Sequence, residues 1–180
     1  MFKSSLIALA LTLGASSAFA GMMVGGAEMF PAKNIIQNAV NSKDHTTLVA
    51  AVKAAGLVET LQGEGPFTVF APTNEAFAAL PAGTVDGLLK PEAKATLTKV
   101  LTCHVIAANA MSDAVMKMVD DGGGMHKVKT VGGCELTLKY KDGKVMVEDE
   151  TGGIATVTIA DVAQSNGVIH VVDKVLLPKM

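Results

Sequence analysis

The last third of the chain alternates apolar and polar side chains in short runs separated by glycine-containing turns, a pattern that specifies half-buried strands. The run Glu135-Leu136-Thr137-Leu138-Lys139-Tyr140 shows it most clearly. Asp142-Gly143 then signals a hairpin into Val145-Met146-Val147. Similar runs occupy residues 127–131, 155–159 and 168–172, with Gly132-Gly133, Gly152-Gly153 and Asn166-Gly167 at the turns. Asn166-Gly167 is expected to supply the positive φ of a tight turn. A period of two cannot hold one face of a helix against a core, so this region is sheet.

The preceding residues follow a different period. Leu48, Val49, Val52 and Ala55 recur at three- and four-residue spacing behind Asp44, a cap candidate, and Gly56 stops the helix. Residues 34–40 make one or two helical turns, and residues 57–61 continue a short apolar face. The strand of residues 67–71 is ended by Pro72, after which Thr73 caps a helix carrying Phe77 and Leu80. Residues 84–89 and 91–101 are further helices. Residues 103–106 make a short strand, and Ser112 opens a helix broken by Gly122-Gly123-Gly124. Helices followed by strands imply an α+β fold, an antiparallel sheet or sandwich with the helices packed to one side. Residues 34–180 form a single domain, preceded by a loose Gly/Met-rich leader over residues 21–33.

Residues 1–20 are an address. Lys3 gives a positive start, residues 6–13 (LIALALTL) are apolar, and Ala18-Phe19-Ala20 is a small-x-small cleavage site. Cleavage after Ala20 leaves 160 residues with 14 Lys against 17 acids, a charge of −3. The apolar run is too short for a membrane span, and none follows it. The expectation is export to the periplasm or beyond the cell. Cys103 and Cys134 are an even pair in that oxidising setting, either bridged or buried as free thiols.

Composition removes several function classes. The full chain has no Arg, and its 15 Lys are outnumbered by 17 acids, which argues against a nucleic-acid surface. Six Phe, one Tyr and no Trp argue against stacking platforms for bases or sugars. The four histidines, at 45, 104, 126 and 170, show no metal-site spacing, and no GxSxG elbow is present. His104 and His170 lie in apolar runs that suit a buried, hydrogen-bonded imidazole. Glu148-Asp149-Glu150 is either a solvated hairpin end or a cluster for a hard cation. Met111, Met116, Met118 and Met125 with His126 have the softness of a Cu(I) set, although Met118 falls on the packed helix face beside Val115. Neither a catalytic centre nor a cofactor is implied.

Two longer segments are more specific. Residues 68–77 (TVFAPTNEAF) and 165–178 (SNGVIHVVDKVLLP) resemble the two signature motifs of the fasciclin domain family, and Leu101-Thr102-Cys103-His104-Val105 resembles its central Tyr-His segment, with Cys103 in the Tyr position. The resemblance implies a compact wedge, a β-sandwich with several helices. It further implies a secreted, non-enzymatic module of cell-surface or extracellular-matrix adhesion that contacts surface protein or glycan. It places His104, Asp161 and Val162 nearest the family's interaction surface, with Asp161-Val162 standing for an Asp-Ile pair. Because some members carry carotenoids, a periplasmic carrier of an apolar small ligand is the alternative.

Overall fold

The computed structural model describes residues 20–179. The expected export signal therefore lies outside the described residues, apart from Ala20. Nine strands and seven α-helices are described: β1 (Met22–Val24), β2 (Ala27–Met29), α1 (Ile35–Ala39), α2 (Thr46–Ala55), α3 (Val58–Gln62), β3 (Phe67–Pro72), α4 (Asn74–Ala78), α5 (Thr84–Leu88), α6 (Lys94–Thr102), β4 (Val105–Ile106), α7 (Ser112–Asp121), β5 (His126–Lys129), β6 (Glu135–Lys141), β7 (Lys144–Glu148), β8 (Ile154–Gln164) and β9 (Gly167–Val172).

The helices follow the apolar spacing. In α2 the buried residues are Leu48, Ala51, Val52 and Ala55, and Gly56 ends the helix at φ 75°. Asp44, expected as its cap, sits instead in a 3-10 turn, Lys43–His45, that leads into the helix. In α6 the inner face is Leu97, Val100 and Leu101. In α7 it is Val115 and Val119. No helix among the described residues is long and apolar enough to cross a membrane.

Seven strands form one sheet in the order β4-β3-β9-β8-β7-β6-β5. All neighbours are antiparallel except β3 and β9, which run parallel with Phe67 opposite Gly167 and Pro72 opposite Val172. The α+β class is as expected, but the sheet is a near-barrel rather than a plain sandwich. It curls until the turn after β5 reaches β4: Val131 N–H donates to the Val105 carbonyl at 2.8 Å, and Gly132 N–H to Thr102 at 3.0 Å. A Cys103–Cys134 disulfide closes the same seam, with Cα atoms 5.4 Å apart.

Two cores result, because β3 and β9 are buried on both faces. Val69, Ala71, Ile169 and Val171 face helices α1, α2, α3, α4 and α6. Phe70, Val172, Leu138 and Val147 fill the inside of the curl, which α7 closes with Val115 and Val119. The helices are therefore not all on one side, since a curled sheet needs a lid on its concave face. The residues expected as a loose leader also differ: β1 and β2 form a hairpin around Gly25-Gly26, whose φ values are 58° and 73°. Burial of Val24 and Met29, each 1% exposed, holds it to the domain.

Candidate functional site

The first motif behaves as its residues dictate. Pro72 ends β3, and Thr73 accepts a hydrogen bond from Ala76 N–H at the start of α4. Asn74 reaches further. Its Oδ1 accepts from Thr47 N–H at 3.0 Å and from the Thr46 hydroxyl at 3.1 Å, and its Nδ2 donates to the Lys43 carbonyl at 2.7 Å. One amide thus ties α4 to the start of α2.

The second motif lies beside the first through the β3–β9 pairing, and Asn166 is the joint. Its Oδ1 accepts from Ile35 N–H at 3.1 Å, its Nδ2 donates to Leu61 and Gly63 carbonyls at 2.9 Å each, and its own carbonyl accepts from Phe67 N–H at 3.0 Å. The turn here is Ser165–Asn166, not Asn166–Gly167, because Gln164 pairs with Gly167. Gly167 is needed for close approach: a Cβ there would sit 1.9 Å from the Phe67 carbonyl oxygen. Gly65 is confined likewise, with the Asn166 carbonyl oxygen 2.0 Å from where its Cβ would be.

His104 and His170 are structural in their geometry. His104 is 2% exposed. The Val100 carbonyl, 2.8 Å from Nδ1, can only accept, so Nδ1 carries the proton and Nε2 accepts from Leu176 N–H at 2.9 Å. Burial holds its pKa down at about 4, against a smaller upward pull from the Val100 carbonyl and from Asp149. His170, also 2% exposed, stacks on Phe70 with ring centroids 5.8 Å apart. Its Nε2 donates to the Ala110 carbonyl at 2.7 Å and its Nδ1 accepts from Asp161 N–H at 3.2 Å. Burial lowers its pKa as well.

Asp161 has φ 60°, and its carboxylate accepts from both the backbone N–H and the hydroxyl of Ser112, at the first turn of α7. Ser112 was expected to open that helix as its cap; the capping oxygens belong to Asp161 instead. Ser112, Asp161 and His170 are neighbours, but the imidazole nitrogens are both engaged with backbone, so no imidazole faces the hydroxyl, whose proton goes to the Asp161 carboxylate. Val162 is fully buried. Of the three residues placed nearest an interaction surface, His104 and Val162 therefore lie in the interior, and Asp161 is a cap.

The acidic run is divided among separate tasks. Glu148 pairs with Lys139. Asp149 accepts from Thr151, Gly153 and Leu177 N–H groups, and Glu150 from Glu135 and Lys179 N–H groups. Among the described residues no three His, Cys, Asp or Glu side chains are placed to hold a metal ion. Met118 packs against the inner core, and Met125 is half exposed.

What the motifs leave open is a polar cleft of about 480 Å³ where the Gly63-Glu64-Gly65-Pro66 turn meets the Ser165–Asn166 turn. Gln62, Glu64, Asn109, Gln164 and Ser165 line it. The sequence did not mark this feature, because its walls come from segments about a hundred residues apart. The Asn166-Gly167 turn signal was legible, but its meeting with the Gly63–Pro66 turn was not.

The fasciclin domain model matches residues 43–178. The chain is 52% identical to the protein sll1483 of Synechocystis sp. over 149 residues, covering 83% of this chain and 76% of that one. It is 40% identical to the transforming growth factor-beta-induced protein ig-h3 of Sus scrofa, over 73% of this chain and 17% of that protein. It is 36% identical to the cell surface glycolipoprotein MPB83 of Mycobacterium bovis, over 78% and 58% respectively. A solved FAS1 domain pair from the insect cell adhesion molecule fasciclin I superposes with a TM-score of 0.58 at 24% identity, covering 72% of this chain and 43% of that one.

Proposed function

The chain belongs to the fasciclin domain family, and we propose that it is an exported, non-enzymatic interaction module that holds a surface protein or glycan through its exposed loops. The cleft between the two signature turns carries this reading. It is open and polar, while His104, His170 and Asp161 are spent on backbone hydrogen bonds. Relatives named for the cell surface and for cell adhesion support the same role. Export to the periplasm or beyond follows from the N-terminal address. The alternative, a carrier of an apolar ligand such as a carotenoid, requires interior room. The apolar cavity beside His104, lined by Ile36, Val52 and Val69, has about 30 Å³, space for about one water.

The test is binding of the labelled, purified protein to cells of the organism that produces it. Saturable binding, competed by excess unlabelled protein, is the expected result. Absence of saturable binding, or a visible absorption band that copurifies with the protein, would overturn the module.

A further inference from the structure

We infer that the cleft between the Gly63–Pro66 and Ser165–Asn166 turns is a binding site for a neutral carbohydrate. This rests on the interaction-module reading and names its ligand class. The chemistry of the lining decides the class. Among the described residues, the side chains of Gln62, Glu64, Asn109 and Ser165 make no hydrogen bond within the protein, so their donors and acceptors are available. Primary amides and a hydroxyl present donor and acceptor together, which is the pattern a sugar hydroxyl presents in return. No Lys lines the cleft and Glu64 is its one charged group, so a phosphate or uronate ligand would meet repulsion without a counter-charge. No aromatic ring lines it, which disfavours a nucleobase and leaves a sugar to be held by hydrogen bonds alone. A volume of about 480 Å³ lies within the range of small-ligand sites.

The walls are preorganised. Asn166 fixes the floor through three side-chain hydrogen bonds to α1, α3 and the turn that follows α3. Gln164 is held by Asn38, whose Nδ2 donates to its Oε1, and donates its own Nε2 to the Val162 carbonyl at 3.0 Å. Gly65 and Gly167 let the two turns approach closely. The backbone frame of the two turns is thus held before a ligand arrives, while the exposed side chains of Gln62, Glu64 and Asn109 still lose rotamer freedom on binding.

The experiment is a two-dimensional NMR titration of the purified exported protein with maltotriose, cellotriose, mannotriose and triacetylchitotriose, with trigalacturonate as the charged control. At least one neutral trisaccharide is expected to give saturable shifts in the backbone amides of residues 62–66, 109 and 164–167. Gln62→Ala and Asn109→Ala, both at exposed positions, should each weaken that binding about tenfold without changing the thermal melt. The inference fails if no neutral sugar shifts these amides, if trigalacturonate alone does, or if the shifts survive in the double variant. Failure here with cell binding intact leaves the module and removes the cleft as a sugar site; loss of cell binding by the unmodified protein removes the module itself.

Discussion

The Nε2 atom of His104 accepts a hydrogen bond from Leu176 N–H at 2.9 Å, joining α6 to the C-terminal segment that follows β9. The same ring donates to the Val100 carbonyl, and Asp149 and Glu150 accept the N–H groups of Leu177 and Lys179. That segment also inserts Leu176, 1% exposed, into the inner core. His104→Ala should orphan two buried backbone groups and leave a cavity, a loss of about 3 kcal/mol. For a domain of this size the melting temperature should fall by about 10 °C, as followed by circular dichroism. An unchanged melt would remove the structural role.

Acid should weaken the fold through the histidines. His45, His104 and His170 all have pKa values lowered by burial, with His104 at about 4. Between the unfolded value of 6.5 and the folded one, the unfolded chain binds more protons than the native one. Stability is therefore complete above pH 6.5 and is lost as pH falls toward 4. The His104 share of that loss is about 3 kcal/mol. Urea midpoints measured from pH 7.5 to 4 should fall steadily. In His104→Gln the fall should be shallower, because one of the three titrations is absent. Equal slopes in the two proteins would show that His104 is protonated normally in the fold.

The disulfide holds the seam of the curled sheet. Cys103 lies between α6 and β4, and Cys134 between β5 and β6, so the bond joins the two edges of the sheet order. It spans a sequence separation of 31 residues. Closing a loop of that length removes about 3 to 4 kcal/mol of entropy from the unfolded state. The Cys103→Ala, Cys134→Ala double variant should lose that much in urea unfolding. It should also gain hydrogen exchange at the Val131 and Gly132 amides, which cross the seam. Loss of stability without added exchange there would locate the effect in the unfolded chain alone.

Local periodicity and local turn chemistry were readable in the residues. Leu48, Val52 and Ala55 announced α2, and the alternation from Glu135 to Tyr140 announced β6. Pairing between distant segments was not readable. Nothing near Phe67 says that Gly167 lies beside it in parallel, because a strand carries its neighbour's identity nowhere in its own alternation. Asn166 was legible as a turn residue but not as an amide with partners at Ile35, Leu61 and Gly63. The β1–β2 hairpin did have a signal, the Gly25-Gly26 pair between Val24 and Ala27, obscured by the Met-rich composition around it. His104 and Val162 were assigned to a surface by resemblance, while their own apolar surroundings favoured the interior.

Asp161 combines two demands that substitutions can separate. Its backbone sits at φ 60°, which disfavours residues with a Cβ, and its carboxylate caps α7 through Ser112. Asp161→Ala loses the cap and keeps the strained backbone, so it should lose about 2 kcal/mol. Asp161→Gly also loses the cap but relaxes the backbone, and should be more stable than the alanine variant by about 1 kcal/mol. Both should raise hydrogen exchange in the first turn of α7, which no longer has an acceptor for Ser112 N–H. If alanine and glycine prove equally stable, the left-handed conformation at this position carries no strain, and Asp161 acts through its carboxylate alone.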